Sequence, residues 1–211
     1  MSNKFWKSFS IVLHVLFDEI VKQQKMFTKA YTSGNDELVN LLIEFTKIDP
    51  SVDNNLAIRY ASQHGHIAVV DRLLHDGTGR VDPSDYTNLA IRLASENGHI
   101  AVVDRLLQEV RSRVDPSADN NYAIRFASHN GHIAVVERLL QDGTGRVDPT
   151  TYSNCAIRFA SENGHIAVVD RLLQDDRVDP SDCNNYAYRW ASLNCHRDVV
   201  EILTRRAFYK T

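Results

Sequence analysis

The chain has 211 residues, enough for one ordinary domain or one short repeat array. A hydrophobic share of 43% and a charged share of 24% fit a soluble folded protein. Its 24 basic residues stand against 27 acidic ones, a formal net charge of -3, so the basic excess of a general nucleic-acid binder is missing.

At the N-terminus, Lys4 and Lys7 precede an apolar run from Phe9 to Phe17. A secretory leader opens this way, but His14 interrupts the run, Asp18 and Glu19 succeed it, and no small-residue cleavage site appears. The run is also shorter than the about 20 apolar residues that span a bilayer. Residues 1–25 are expected to form an amphipathic helix that caps one end of the folded chain.

From residue 26 the chain repeats itself. Asp-Pro occurs at 49–50, 82–83, 115–116, 148–149 and 179–180, and these hold all five prolines. Gly34, Gly65, Gly98, Gly131 and Gly164 keep nearly the same interval, and the other four glycines form two Gly-Thr-Gly segments. Gly-His-Ile-Ala-Val-Val recurs unchanged from Gly65, Gly98, Gly131 and Gly164. Residues 53–84, 85–117, 118–150, 151–181 and 182–211 are five copies, preceded by a degenerate one at 26–52.

One copy, 53–84, shows the physics. Asp53-Asn54-Asn55 is turn-prone. Asn55 returns as Asn88, Asn121, Asn154 and Asn185, each just before a helical pattern, and is read as an N-cap. A first helix from about Leu56 to His64 packs through Ala57, Ile58, Tyr60 and Ala61, with Leu56, Arg59 and Gln63 on another side. Gly65 ends it, and a second helix buries Val69, Val70, Leu73 and Leu74. Gly77-Thr78-Gly79 and an extended Val81-Asp82-Pro83 close the copy. Two such short helices cannot bury their apolar sides alone, so the copies must stack.

This unit resembles the ankyrin repeat. Leu56-Ala57-Ile58-Arg59-Tyr60-Ala61-Ser62-Gln63-His64-Gly65-His66, then Val69-Val70-Asp71-Arg72-Leu73-Leu74, matches that family's Thr-Pro-Leu-His-x-Ala-Ala-x-x-Gly-His and Val-x-x-Leu-Leu pattern. The family's Thr-Pro start is absent, so a slightly longer first helix and a shorter loop finger are expected. The Asn-x-Ala-Ile-Arg and Val-Asp-Pro-Ser variant resembles the ankyrin proteins of large amoeba-infecting DNA viruses. The resemblance implies an all-α ankyrin-repeat solenoid of helix-turn-helix units with an N-terminal capping helix. The last copy, with Cys195, Arg197, Asp198 and Thr204 in place of glycine and apolar residues, is read as a C-terminal capping repeat.

Chemistry-bearing residues have plain readings. Cys155, Cys183 and Cys195 are odd in number and match no metal spacing, so they are read as free thiols of an intracellular, cytoplasmic protein, in the host cytoplasm if the chain is viral. His66, His99, His132, His165 and His196 sit on successive units about 8–10 Å apart. That spacing is too wide for one zinc ion, so they are read as turn residues bonded to nearby backbone. Arg59, Arg92, Arg125, Arg158 and Arg189 form one ladder, and Arg72, Arg105, Arg138 and Arg171 another. They could bind phosphate; the scaffold alternative bonds them to loop carbonyls, to Glu96 and Glu162, or to the ladder Asp71, Asp104, Glu137 and Asp170. No catalytic set, cofactor loop or metal site is expected.

Positions that keep the scaffold should be alike in every copy, and positions that read a partner are free to differ. The varying columns point to Asp53, Tyr86, Asp119, Tyr122, Tyr152, Tyr186, Glu96, His129, Glu162 and Leu193. In the resembled family, loop fingers and first helices line the concave face where partners dock. A non-catalytic protein–protein interaction module is expected, with another protein as partner, Tyr86 and Tyr152 as anchors, no nucleic acid, no membrane and a monomeric chain. Two alternatives stay open. Phe5, Trp6, Phe9, Val12, Leu13, Leu16 and Ile20 could recruit cellular machinery such as a ubiquitin ligase, or the arginine ladders could bind nucleic acid or phosphate.

Overall fold

The computed structural model describes residues 3–77, 79–109, 114–142 and 145–209, with side chains from 16 to 206. Among these, every regular element is helical and no strand occurs. The order is α1 (Asn3–Thr32), α2 (Asp36–Thr46), α3 (Val52–Gln63), α4 (Ile67–Leu74), α5 (Asp85–Glu96), α6 (Ile100–Leu107), α7 (Ala118–His129), α8 (Ile133–Leu140), α9 (Thr151–Glu162), α10 (Ile166–Leu173), α11 (Asp182–Leu193) and α12 (Arg197–Tyr209). Thr78, Gly143 and Thr144 of the two Gly-Thr-Gly segments lie outside the described residues, as do the side chains of Phe5, Trp6, Phe9, Val12 and Leu13.

The chain divides into two compact units: Met1–Ala61 with His66–Asp82, and Ser62–Gly65 with Pro83–Thr211. In the first, α1 packs on α2 and α2 on α4. Its core holds Phe27, Ala30, Tyr31, Val39, Leu42, Ala57, Ile58, Val69, Val70 and Leu73. Asn35 caps α2, its side chain accepting the Leu38 N–H at 2.9 Å. α1 runs unbroken from Asn3 to Thr32, so the expected boundary at 25/26 falls inside a helix.

In the second unit the first helices pack in the row α5, α7, α9, α11, and the second helices in the row α6, α8, α10, α12. Ala90, Ala94, Ala123, Ala127, Ala156, Ala160, Ala187 and Ala191 are all 0% exposed. A side chain of one carbon is what lets neighbouring first helices come this close. Leu106, Leu139 and Leu172 fill the second-helix side at 0% exposure. Removing one to alanine would cost about 2–5 kcal/mol.

Each first helix ends the same way. In α7 the Gly131 N–H bonds to the Ser128 carbonyl and the His132 N–H to the Ala127 carbonyl, the double closure that a left-handed residue permits. A Cβ at Gly98 would sit 2.5 Å from Nδ1 of His132 in the next copy, and φ there is +77°. Glycine and the histidine of the next copy are thus one packing device: the turn needs positive φ, and the ring needs the empty space.

The starts of the first helices differ from expectation. Residues 53–55, 86–88, 119–121, 152–154 and 183–185 all have φ of +52° to +59° and ψ of 38° to 56°. They wind one left-handed turn before the right-handed helix begins at the next residue. Left-handed geometry costs about 1–2 kcal/mol per non-glycine residue, and asparagine tolerates it best. Asn88, Asn121 and Asn154 occupy the last place of the turn, and the N-cap reading of this column is corrected. Their side-chain oxygens accept backbone N–H groups from the closing segment of their own copy: Asp115 at 2.8 Å, Asp148 at 2.8 Å and Asp179 at 2.9 Å. Asn55 does the same for Asp82 at 2.9 Å within the first unit. The aspartate then closes its own loop, as Asp148 does by accepting both the N–H and the hydroxyl of Thr150.

Candidate interaction face

The left-handed turns and first helices of Pro83–Thr211 carry most of the varying side chains, and first-helix arginines hold this face in shape. Arg125 donates from Nε to the Asn120 carbonyl at 2.9 Å and from Nη2 to the Asp119 carbonyl at 3.2 Å, satisfying carbonyls that the reversed turn leaves outside a helix. Its guanidinium also lies over the Tyr152 ring of the next copy at 4.7 Å. Arg92 lies over Tyr122 at 4.4 Å and pairs with Asp119, and Arg158 lies over Tyr186 at 4.8 Å. In the first unit, Arg59 reaches the Asn54 and Asp53 carbonyls.

Several predicted residues come together in pairs. The Tyr122 hydroxyl donates to Glu96 Oε2 at 2.8 Å, and Tyr186 to Glu162 Oε2 at 3.0 Å. Each pair bridges adjacent copies. Burial, and then the Glu96 carboxylate, push the Tyr122 phenol up to about 12, and Tyr186 is raised for the same two reasons. Glu96 and Glu162 thus serve the next copy's tyrosine, a role different from the expected pairing with arginines one turn earlier. Between the second helices the acidic ladder does meet arginine, Arg138 pairing with Asp104 of the preceding copy.

His129 stands edge-on to Phe159 at 5.2 Å and meets Asn163 Nδ2 at 3.2 Å through its Nδ1. Tyr86 and Tyr152 are each 58% exposed at the turns, and Leu193 is 68% exposed beside Trp190. The Tyr152 hydroxyl accepts from Asn120 Nδ2 at 3.1 Å. Asp53 is exposed but belongs to the other unit.

The sequence reading left out one column of this face. Leu93, Phe126, Phe159 and Trp190 are half-buried; Phe126 stacks on Tyr122 at 4.1 Å, and Tyr186 lies 5.5 Å from Trp190. The signal was present: this large apolar column changes from copy to copy between invariant arginine and alanine.

The histidine ladder is structural. The Nε2 atoms of His99, His132, His165 and His196 reach the carbonyls of Gln63, Glu96, His129 and Glu162 at 2.9–3.0 Å. A carbonyl only accepts, so Nε2 carries the proton. These bonds cross from copy to copy, farther than the nearby backbone expected. Burial also lowers the His165 ring below the ordinary histidine range, against the opposing effect of its bond to the His129 carbonyl. Among the described residues, no group of three or more His, Cys, Asp or Glu could hold a metal ion, and no helix is long and apolar enough to cross a membrane.

Stacked helix-turn-helix copies, joined by histidine, arginine and tyrosine–glutamate contacts between neighbours, define a helical repeat solenoid. The family model for ankyrin repeats (3 copies) matches residues 26–120 and 91–185. The chain belongs to the ankyrin-repeat family, whose repeats are in general protein–protein interaction modules. No curated protein matches it.

Proposed function

We propose that the chain is a non-catalytic module that docks another protein on the left-handed turns and first helices of residues 83–211. The observation that carries this is the exposure of Tyr86 and Tyr152, 58% each, on left-handed turns, the first of which has its Thr87 carbonyl taken up by Arg92 of the same copy. Around them, Asp119, Tyr122, Glu96, His129, Glu162, Tyr186 and Leu193 supply aromatic surface, hydroxyls and carboxylates that differ from copy to copy. Aromatic residues are enriched among binding hot spots. Asp53 supplies the corresponding position in the first unit. The arginine ladders support a nucleic-acid reading less, because Arg92, Arg125 and Arg158 are engaged by carbonyls, carboxylate, thiol or rings within the repeats. If the repeat variant is viral, as its resemblance suggests, the partner is a protein of the infected host cell.

Affinity capture from lysate tests this with the wild type and Tyr86→Ala/Tyr152→Ala. A protein retained by the wild type and lost by the folded variant is the expected result. Equal capture by both would contradict it. A second reading, an adaptor that recruits a ubiquitin ligase or similar machinery through the N-terminal helix, is favoured by one observation: Leu16, Phe17 and Ile20 are 55%, 66% and 62% exposed. Deleting residues 1–21 would then remove one captured partner and leave the fold.

A further inference from the structure

Four copies close by returning a Val-Asp-Pro segment to their own left-handed turn. Asn55, Asn88, Asn121 and Asn154 accept the backbone N–H of its aspartate. Val114, Val147 and Val178 are buried, and so are Pro116 and Pro149. Four residues past the aspartate, the chain meets the first-helix arginine. Asp119 pairs with Arg92, the Tyr152 ring lies under Arg125 at 4.7 Å, and Cys183 Sγ accepts from Arg158 at 2.8 Å. The molecule thus displays, several times over, what an asparagine and arginine so placed can hold.

The fifth copy repeats the two residues as Asn185 and Arg189. Asn185 has the same left-handed backbone, with φ 57° and ψ 39°. Here, however, the chain does not turn back at the same place. α12 has 13 residues where α10 has eight, so helix continues past Thr204, the counterpart of Leu173. Among the described residues, no hydrogen bond, ion pair or ring contact engages the side chain of Asn185 or Arg189. Between α11 and α12 they line a cleft of about 450 Å³ together with Pro180, Tyr188, Leu203 and Thr204. Tyr188 stands where inner copies bury Ile91, Ile124 and Ile157, and it is 44% exposed. Arg189 is the charged residue of the lining, so the cleft suits an acidic ligand.

We propose that this cleft binds a partner protein through a segment of the Val-Asp-Pro type that carries a second acid four residues after the first. Asn185 Oδ1 takes the N–H of the first acid. Tyr188 and Leu203 receive the apolar residue and the proline. Arg189 takes the second acid, as Arg92 takes Asp119. Such a segment arrives partly folded, because its aspartate closes its own loop: Asp115 Oδ1 accepts both the N–H and the hydroxyl of Ser117. That lowers the entropy lost on binding. The site lies apart from Tyr86 and Tyr152 and adds a second docking place to theirs.

Fluorescence anisotropy tests this with a labelled peptide copying residues 113–119, Arg-Val-Asp-Pro-Ser-Ala-Asp, titrated with the full chain. Saturable binding is expected. Arg189→Glu should weaken it about tenfold with unchanged helical circular dichroism. Asn185→Gly, which keeps the positive φ and removes the acceptor, should also weaken it. Arg197→Glu makes the same charge change away from the cleft and should leave binding as it was. Tyr86→Ala/Tyr152→Ala should bind the peptide like the wild type, so the two docking places are read separately. No saturable binding would overturn the proposal. So would binding that Arg189→Glu and Asn185→Gly leave unchanged, or that Arg197→Glu weakens equally. Self-association of the chain that Arg189→Glu abolishes would put a second copy in the cleft in place of a partner, and would overturn it as well.

Discussion

Ser95 and Ser128 come directly after the invariant alanine of the first helix, are 0% exposed, and leave their hydroxyl oxygens without a hydrogen-bond partner. A buried unsatisfied hydroxyl costs about 1–3 kcal/mol. Ser95→Ala and Ser128→Ala are therefore expected to raise stability by up to about 1 kcal/mol each, read from the midpoint of urea unfolding at constant m. A loss of stability in both would mean that the hydroxyl is satisfied in solution. The Tyr122–Glu96 pair gives a second residue-scale expectation. The folded phenol titrates near 12 and an unfolded one near 10, so the unfolded chain loses its proton first. Stability should fall as pH climbs from 10 toward 12. Glu96→Gln should lower the phenol without returning it to the ordinary value, because burial is the larger cause; ultraviolet titration of the phenol reads both.

At the scale of the element, the left-handed turn is the costly feature of this repeat. Five copies hold three successive residues in a geometry that costs free energy, and the asparagine–aspartate tether and the arginine caps offset that cost. Asn121→Ala removes the acceptor of the Asp148 N–H and places alanine at φ +59°. It should destabilise by about 1–3 kcal/mol in chemical unfolding, whereas Asn120→Ala, on the exposed middle of the same turn, should cost less. Equal effects would show that the tether contributes nothing beyond the turn. The helices were legible in the sequence because Ala57, Ile58 and Ala61, and Val69, Val70, Leu73 and Leu74, keep helical spacing with no competing pattern. Asn55 looked like an N-cap because asparagine before a helix satisfies that pattern equally well. Only the fold brings the Asp82 N–H within reach, and separation along the chain hides such a bond from local reading.

For the molecule as a whole, the repeated bonds explain why so many polar residues are identical in every copy: asparagine to the aspartate that closes its copy, histidine to a carbonyl of the preceding copy, arginine to the carbonyls of its own turn. The histidine bonds tie each copy to the one before it, as expected of a solenoid. Of the candidate face, the exposed anchors Tyr86 and Tyr152 were legible because they vary where the scaffold is fixed. The Phe126 and Phe159 column was not, because a large apolar residue on a helix reads as core until its half-exposure is seen. Amide hydrogen exchange, on the chain alone and with its captured partner, probes docking on the turns and first helices without altering a residue. Docking there slows exchange at the turns 86–88, 119–121 and 152–154 and along α5, α7 and α9. Slowed exchange confined to α6, α8 and α10, with those turns unchanged, would contradict it.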